Sequence, residues 1–260
     1  MISADYYKSL SDLIVTNYQD LLNWEYLEEI GRFAYIKSSH AEVIFTKLLS
    51  SKSLKFGKST FLLHGDDATI SLATAHGINS LGYKIKSVNW LGDHTLVEPL
   101  PIGIPTADRL PNISREDFDS FTSIFSELRM QSSERDIYLY ANFDITTNMP
   151  LRKRALLAAL PLKDSYCPTS RIGLSMNLHN LSKSKYVLSP PGAGPDCFRT
   201  WEAIYMGAVP IVLRSQWPFN HLDLPVLVVD AFDDLGQQIA DFENEGRFRN
   251  VSWEDHFRLS

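Results

Sequence analysis

Cysteine is scarce in this chain: Cys167 and Cys197 are the only two in 260 residues. Two thiols cannot build a disulfide framework, and they cannot hold zinc without many other ligands. Reduced thiols in a cytosolic protein are therefore expected. Long apolar runs are also lacking, and no stretch approaches the roughly 20 residues that a bilayer span requires. The first ten residues, MISADYYKSL, have neither the basic start nor the apolar core of a secretory signal. These absences predict a cytoplasmic protein with no transmembrane segment. Positive charge is in deficit as well, with 25 Lys and Arg against 31 Asp and Glu and a net charge of -6. That excludes a broad electrostatic grip on nucleic acid and leaves local basic clusters to hold any phosphate. Three Asn-x-Ser sequons, at Asn112, Asn180 and Asn250, are read as chance matches, since the motif is short and no secretory signal accompanies it.

What is present is an ordinary globular composition, 44% hydrophobic and 22% charged, with no internal repeat or low-complexity tract. Apolar residues at Tyr6, Leu10, Leu13, Ile14, Tyr18, Leu21 and Leu22 recur at helical spacing and predict a helix over residues 5–30. A short strand is expected at 33–36. Ser38 or Ser39 is positioned to cap a helix over 40–49. STFLLH, at 59–64, reads as a buried strand, and the run GDDAT leads into the next helix. Residues 82–90 read as a strand. Residues 97–104 are apolar but broken by Pro99 and Pro101, so they suit only a sheet edge or an extended loop. Residues 105–135, with SRED at Ser114 to Asp117 and a helical 118–130, read as a connector. The boundary is placed there, dividing the chain into 1–130 and 131–260. Beyond it, strands and helices alternate through IYLYANF, a helix from Pro150, a helix over 172–182 and PVLVVD, with Asp233 as a helix cap. That alternation predicts an α/β protein with a mostly parallel sheet.

The stretch KYVLSPPGAGPDCFRTWEAIYMGAVPIVL, residues 185–213, reads as strand, Gly/Pro turn, helix, strand. Ligands of open α/β sheets sit outside the carboxyl ends of the strands, which places Ser189, Pro190, Gly192 and Gly194 at such a site. Pro195 suits a first helical position, and the amide groups of a first helical turn bind anions. Arg199 is placed to clamp a diphosphate by a bidentate hydrogen bond. Glu202, three residues on, is acceptor-only when ionised and suits paired ribose hydroxyls. Asp196 and Thr200 flank this pair. The competing reading is an i,i+3 surface pair of Asp196 and Arg199, worth about 0.2–0.5 kcal/mol.

A second basic cluster, Arg152, Lys153 and Arg154, follows the strand ending at Asn142 and Phe143. Three cations at a helix start oppose its dipole, a cost that a polyanionic ligand offsets; the alternative is a solvated helix face. Arg152 is the favoured phosphate contact, with Arg154 and Asn142 beside it. In the first half, HGDD closes a buried strand, so His64, Asp66 and Asp67 are candidates to take a proton from an acceptor hydroxyl. A helix cap is the alternative for either aspartate. Asn89, Trp90 and His94 form a polar and aromatic patch suited to stacking an acceptor, or equally to core and loop packing. Asp117 and Asp119 have the spacing of a metal-dependent transferase but lie in a capping box, so no metal site is expected.

The stretch SKYVLSPPGAGPDCFRTWEAIYMGAVPIV resembles the donor-site region of exostosin-like glycosyltransferases and their bacterial and viral relatives. The likeness extends more weakly over YANFDITTNMPLRKRALL, LPVLVVD, FLLHGDD and EPLPIGIP. It implies the GT-B architecture: two Rossmann-like domains facing a cleft, the N-terminal one reduced and on the acceptor side, the C-terminal one holding the nucleotide sugar. It implies metal-independent chemistry with no cofactor, the phosphates near Gly192, Arg199 and Arg152, and the ribose at Glu202. The acceptor and the base then come from the N-terminal side, at Asp66 and Asp67. Against that family the chain is expected to be a shortened form without a membrane stem.

The expected function is an inverting transfer of a sugar from a UDP- or GDP-linked donor to a hydroxyl of a glycan acceptor. The alternatives are a nucleotide-sugar epimerase or hydrolase, or a non-catalytic nucleotide-sugar or glycan-binding module. Nucleic acid is not an expected partner, and the sequence carries no signal of oligomeric state.

Overall fold

The computed structural model describes residues 1–17, 19–20, 31–50, 59–106, 123, 127–128, 135–170 and 172–246. The chain divides into two compact units, Met1–Ile102 and Gly103–Ser260. The connector helix, its capping box and the acidic pair at Asp117 and Asp119 lie outside the described residues, as does the expected boundary between 130 and 131.

In the first unit, α1 (Ala4–Ser9) is capped by Ser3, whose hydroxyl accepts the Tyr6 N–H. The helix expected over 5–30 stops there. Leu13–Val15 forms strand β1 and pairs in parallel with Ala34–Ile36. The neighbouring strand overrides the helical spacing here: Asp12 accepts the Phe33 N–H at 3.1 Å, and the β-branched Ile14–Val15 pair suits a ladder. Strands β2 (Phe33–Lys37), β3 (Thr60–His64), β4 (Lys84–Ser87) and β5 (Glu98–Pro99) follow, all parallel and in chain order from edge to edge. Pro99 sits in the last strand, where its missing N–H breaks no ladder.

Helices α2 (Ala41–Ser50) and α3 (Leu72–Ser80) bury Ala41, Ile44, Leu48, Ala75 and Ile78 against Ala34, Ile36, Phe61, Leu63 and Ile85. Alternate residues point to the opposite sheet face, where the rings of Tyr7 and His64 lie 5.3 Å apart. Helix α2 is entered through a 3-10 turn, Ser38–His40, with no side-chain cap. Ser71 caps α3 by accepting the Thr74 N–H, so neither Asp66 nor Asp67 serves as the cap.

The second unit holds β6 (Ile137–Tyr140), β7 (Ser165–Tyr166), β8 (Ser184–Leu188), β9 (Val209–Leu213) and β10 (Leu227–Val229). All pair in parallel, in the order β7-β6-β8-β9-β10. The strand order reverses between β6 and β8, the point at which doubly wound sheets open a crevice at their carboxyl ends. Helices α4 (Met149–Ala159) and α7 (Leu235–Asn244) pack Ala155, Ala159, Leu235, Ile239 and Phe242 on the face made by Leu139, Tyr186, Leu188 and Ile211. Helices α5 (Leu174–Lys183) and α6 (Phe198–Tyr205) pack against each other and against β6, β8 and β9.

Arg135 braces this layer from below. Its Nη1 donates to the Ser182 and Ser184 carbonyls at 3.3 and 2.5 Å, and its Nη2 to the Met206 carbonyl at 2.8 Å. Gly207, which ends α6, has φ +71, and a Cβ there would stand 2.8 Å from Arg135 Nη2. Helix α7 begins after Asp234 with no side-chain cap, and Asp233 instead pairs with Arg154.

Candidate functional site

The reversal of the second sheet gathers residues from four elements. Strand β6 delivers Tyr140 and, just past its end, Asn142 and Phe143; β8 delivers the loop 189–197; α4 supplies Arg152 and α6 supplies Arg199 and Glu202. The Arg199 Nε–H donates to the Asn142 carbonyl at 2.8 Å. The Arg199 guanidinium lies 5.2 Å from the centre of the Phe143 ring, and that of Arg152 lies 5.8 Å from it. Two guanidinium groups therefore flank one aromatic ring, a favourable setting for each cation. Among the described residues neither has a carboxylate within ion-pair distance.

Arg152 is only 6% exposed. Its Nε donates to the Pro191 carbonyl at 3.0 Å and its Nη1 to the Asp144 carbonyl at 2.6 Å, which leaves Nη2 as its free arm. A Cβ at position 192 would stand 2.6 Å from that arm, so a larger residue there would displace it. The Gly192 carbonyl accepts from Asn148 Nδ2 at 3.3 Å, and its N–H donates to the Gly194 carbonyl at 3.0 Å. Arg152 thus shapes the turn and presents one remaining donor to it.

Arg199 and Glu202 carry the uncommitted groups of the site. Arg199 Nη1 is buried without a hydrogen-bond partner. Glu202 is 7% exposed, and among the described residues nothing donates to its carboxylate. Burial pushes the Glu202 carboxyl up to about 7, against the opposing pull of Arg199. Burial also lowers the Arg199 guanidinium, an effect reinforced by Arg152 and resisted by Cys197 and Glu202. A carboxylate held largely out of water and an orphaned guanidinium nitrogen each cost free energy. A ligand offering hydroxyl donors to one and oxyanion acceptors to the other relieves both.

Several expected donor contacts are spent on the loop itself. Ser189 and Thr200, both buried, bond through their hydroxyls at 2.8 Å. Asp196 is 4% exposed and accepts the Trp201 indole N–H at 2.8 and 3.0 Å and the Cys197 N–H at 2.8 Å. Pro190 accepts the Cys197 thiol at 3.6 Å, and burial raises that thiol. Pro195 is not the first helical residue; α6 starts at Phe198. Gly194 is buried within the turn. Arg154 points away to an exposed ion pair with Asp233, made through its Nε and Nη2. Of the eleven residues expected at the donor, the structure brings Asn142, Arg152, Gly192, Arg199 and Glu202 together around unspent groups.

Tyr140 and Asn177 join this set without any motif to announce them. The Tyr140 hydroxyl and Asn142 Nδ2 both donate to Asn177 Oδ1, at 2.9 and 2.8 Å, and burial pushes the Tyr140 phenol up to about 12. Asn177 sits inside a helical run whose periodicity shows burial and not polar function. A cavity of about 470 Å³ opens elsewhere in the unit, lined in part by Trp217, Phe219, Leu224 and Phe242. None of the site residues is among those described as lining it.

In the first unit, His64 is 2% exposed. Its Nδ1 accepts the Gly65 N–H at 2.7 Å, so Nε2 carries the proton toward the Pro101 carbonyl at 3.3 Å. Both ring nitrogens are engaged, and His64 is placed as a core residue, not as a base. Asp66 accepts backbone N–H groups on both oxygens, from Ala68 at 3.1 Å and from Ser39 at 3.2 Å. Asp67 is exposed, and its carboxylate makes no contact among the described residues.

The acceptor patch does not form as expected. Trp90, 4% exposed, belongs to the core cluster and donates its indole N–H to the Asp93 carbonyl at 3.1 Å. Asn89 is buried with φ 59 and reaches the Asp67 carbonyl at 3.4 Å, while His94 is exposed. Among the described residues no group of three His, Cys, Asp or Glu side chains is placed to hold a metal, and no helix is long and apolar enough to cross a membrane. No family model matches the chain, and no curated protein matches it.

Proposed function

We propose that the second unit binds a nucleoside-diphosphate sugar and that the protein is a metal-independent, inverting glycosyltransferase of GT-B type acting on a hydroxyl of a glycan. The observation that carries this reading is the orphaned Arg199 Nη1 at the sheet reversal, with the largely buried Glu202 carboxylate three residues on. Arg199 and the free arm of Arg152 would take the diphosphate, and Glu202 would take the ribose hydroxyls. In the transfer, the acceptor oxygen forms a bond to the sugar's anomeric carbon as the bond from that carbon to the diphosphate breaks. The acceptor proton passes to a carboxylate, a role for which Asp67 is unspent. The departing charge falls on the two guanidinium groups, where fixed donors are most effective.

Calorimetric titration with UDP, GDP, dTDP and CMP tests the binding half. A charged hydrogen bond is worth about 1.5–3 kcal/mol, so Arg199→Ala is expected to weaken the bound nucleotide by about 10- to 150-fold. Unchanged affinity in both Arg199→Ala and Glu202→Gln would sink the reading. A non-catalytic nucleotide-sugar-binding module is the second reading, favoured by the internal engagement of His64 and Asp66. It predicts binding of the sugar nucleotide with no turnover on any acceptor.

A further inference from the structure

The geometry points to Asn177 as a third, uncharged donor of the ligand site, and this rests on the nucleotide reading above. Asn177 Oδ1 accepts two hydrogen bonds, from the Tyr140 hydroxyl at 2.9 Å and from Asn142 Nδ2 at 2.8 Å. Oδ1 is the atom of the Asn177 amide that faces Tyr140 and Asn142. The Asn177 Nδ2 is therefore the arm of the amide not held by those two residues. It makes no hydrogen bond among the described residues.

Its position is tied to the anion-binding groups through one residue. Asn142 gives its carbonyl to Arg199 Nε at 2.8 Å and its side-chain amide to Asn177 at 2.8 Å. A single strand end thus holds a guanidinium on one side and an amide donor on the other. The donor can bond an acceptor oxygen of the same ligand, either on the diphosphate or on a carbonyl of the base. Fixing its orientation in advance lowers the ordering cost of binding.

The test uses the full chain and titrates UDP, GDP and inorganic pyrophosphate into wild type, Asn177→Asp, His179→Asp and Arg199→Ala. Asn177→Asp keeps an acceptor for Tyr140 and Asn142 but replaces the Nδ2 donor with an oxygen. It is expected to keep the wild-type melting temperature and to lose about tenfold or more in affinity. His179→Asp adds the same charge at an exposed position of the same helix and is expected to bind within about twofold of wild type, which separates contact from long-range repulsion. Loss for pyrophosphate as well as the nucleotides assigns the bond to a phosphate oxygen, and loss for nucleotides alone assigns it to the nucleoside. Binding weakened in Arg199→Ala but unchanged in Asn177→Asp, or equally weakened in His179→Asp, overturns the inference and leaves the nucleotide reading standing. Wild-type protein that binds none of the three probes removes both.

Discussion

Arg199 Nε–H donates to the carbonyl of Asn142 at 2.8 Å, which joins the helix after β8 to the end of β6 across the sheet reversal. The same guanidinium stacks near Phe143, so charge, fork geometry and planar shape are all used at once. Arg199→Lys is therefore not a conservative change. The lysine variant is expected to bind nucleotide diphosphate at least tenfold more weakly than wild type despite keeping its charge. Equal affinity of the two proteins would show that charge alone suffices.

Glu202 makes stability depend on pH. Its carboxyl is raised from 4.5 to about 7 in the folded protein by burial. Between those values the folded state holds more protons than the unfolded one, so stability falls as pH rises through that window. The loss is on the order of 3 kcal/mol. Denaturant unfolding at pH 5 and pH 8 should show it in wild type and lose most of it in Glu202→Gln. A slope that persists in the glutamine variant assigns the effect to another group.

Arg135 offers a test of architecture apart from the site. Removing it strands the carbonyls of Ser182, Ser184 and Met206, at a cost of about 3 kcal/mol. Arg135→Met should lower the denaturant midpoint accordingly, with Gly207→Ala losing about 1–2 kcal/mol for its left-handed backbone. Neither change touches the residues assigned to the ligand, so a nucleotide affinity measured on the folded fraction should match wild type.

The two aspartates after β3 should separate cleanly. Asp66 holds two backbone N–H groups, whereas Asp67 is exposed and uncommitted. Asp66→Asn is expected to lower the melting temperature by several degrees. Asp67→Asn should melt like wild type, bind donor normally and lose glycosyl transfer. Full transfer activity in Asp67→Asn would remove it as the proton acceptor.

Much of the fold was legible from local pattern. Buried strands such as STFLLH and PVLVVD, Pro99 at an edge and the helix from Met149 all follow from residue type and period. The helix expected over 5–30 failed at β1 because Leu13, Ile14 and Val15 satisfy a helical spacing and a strand pairing equally well, and only the partner at Ala34–Ile36 decides. Strand β7, two residues long, has no period to read. At the site, Gly192, Arg199 and Glu202 were legible because a strand, a Gly/Pro turn and a helix follow one another within the chain, and Arg152 because it stands in a basic cluster after a strand end. Asp196, expected at the donor, and Trp90, left open between acceptor stacking and core packing, were not legible for the opposite reason, since their partners are set by packing. Asp196 holds the Trp201 indole, and Trp90 is buried in the core.

The sequence by itself determined the α/β alternation, the absence of a membrane-crossing run and the glycine turn with its following arginine and glutamate. These depend on residues close in the chain, where period and backbone freedom act directly. The tertiary structure decided the strand order β7-β6-β8-β9-β10, with its reversal beside β6, and which polar groups were left unspent there. Chain order carries no record of spatial order, and a side chain's availability depends on neighbours that sequence distance hides. Arg154 is consumed by Asp233, 79 positions away, while Arg199 keeps a bare nitrogen; only folding tells those two arginines apart.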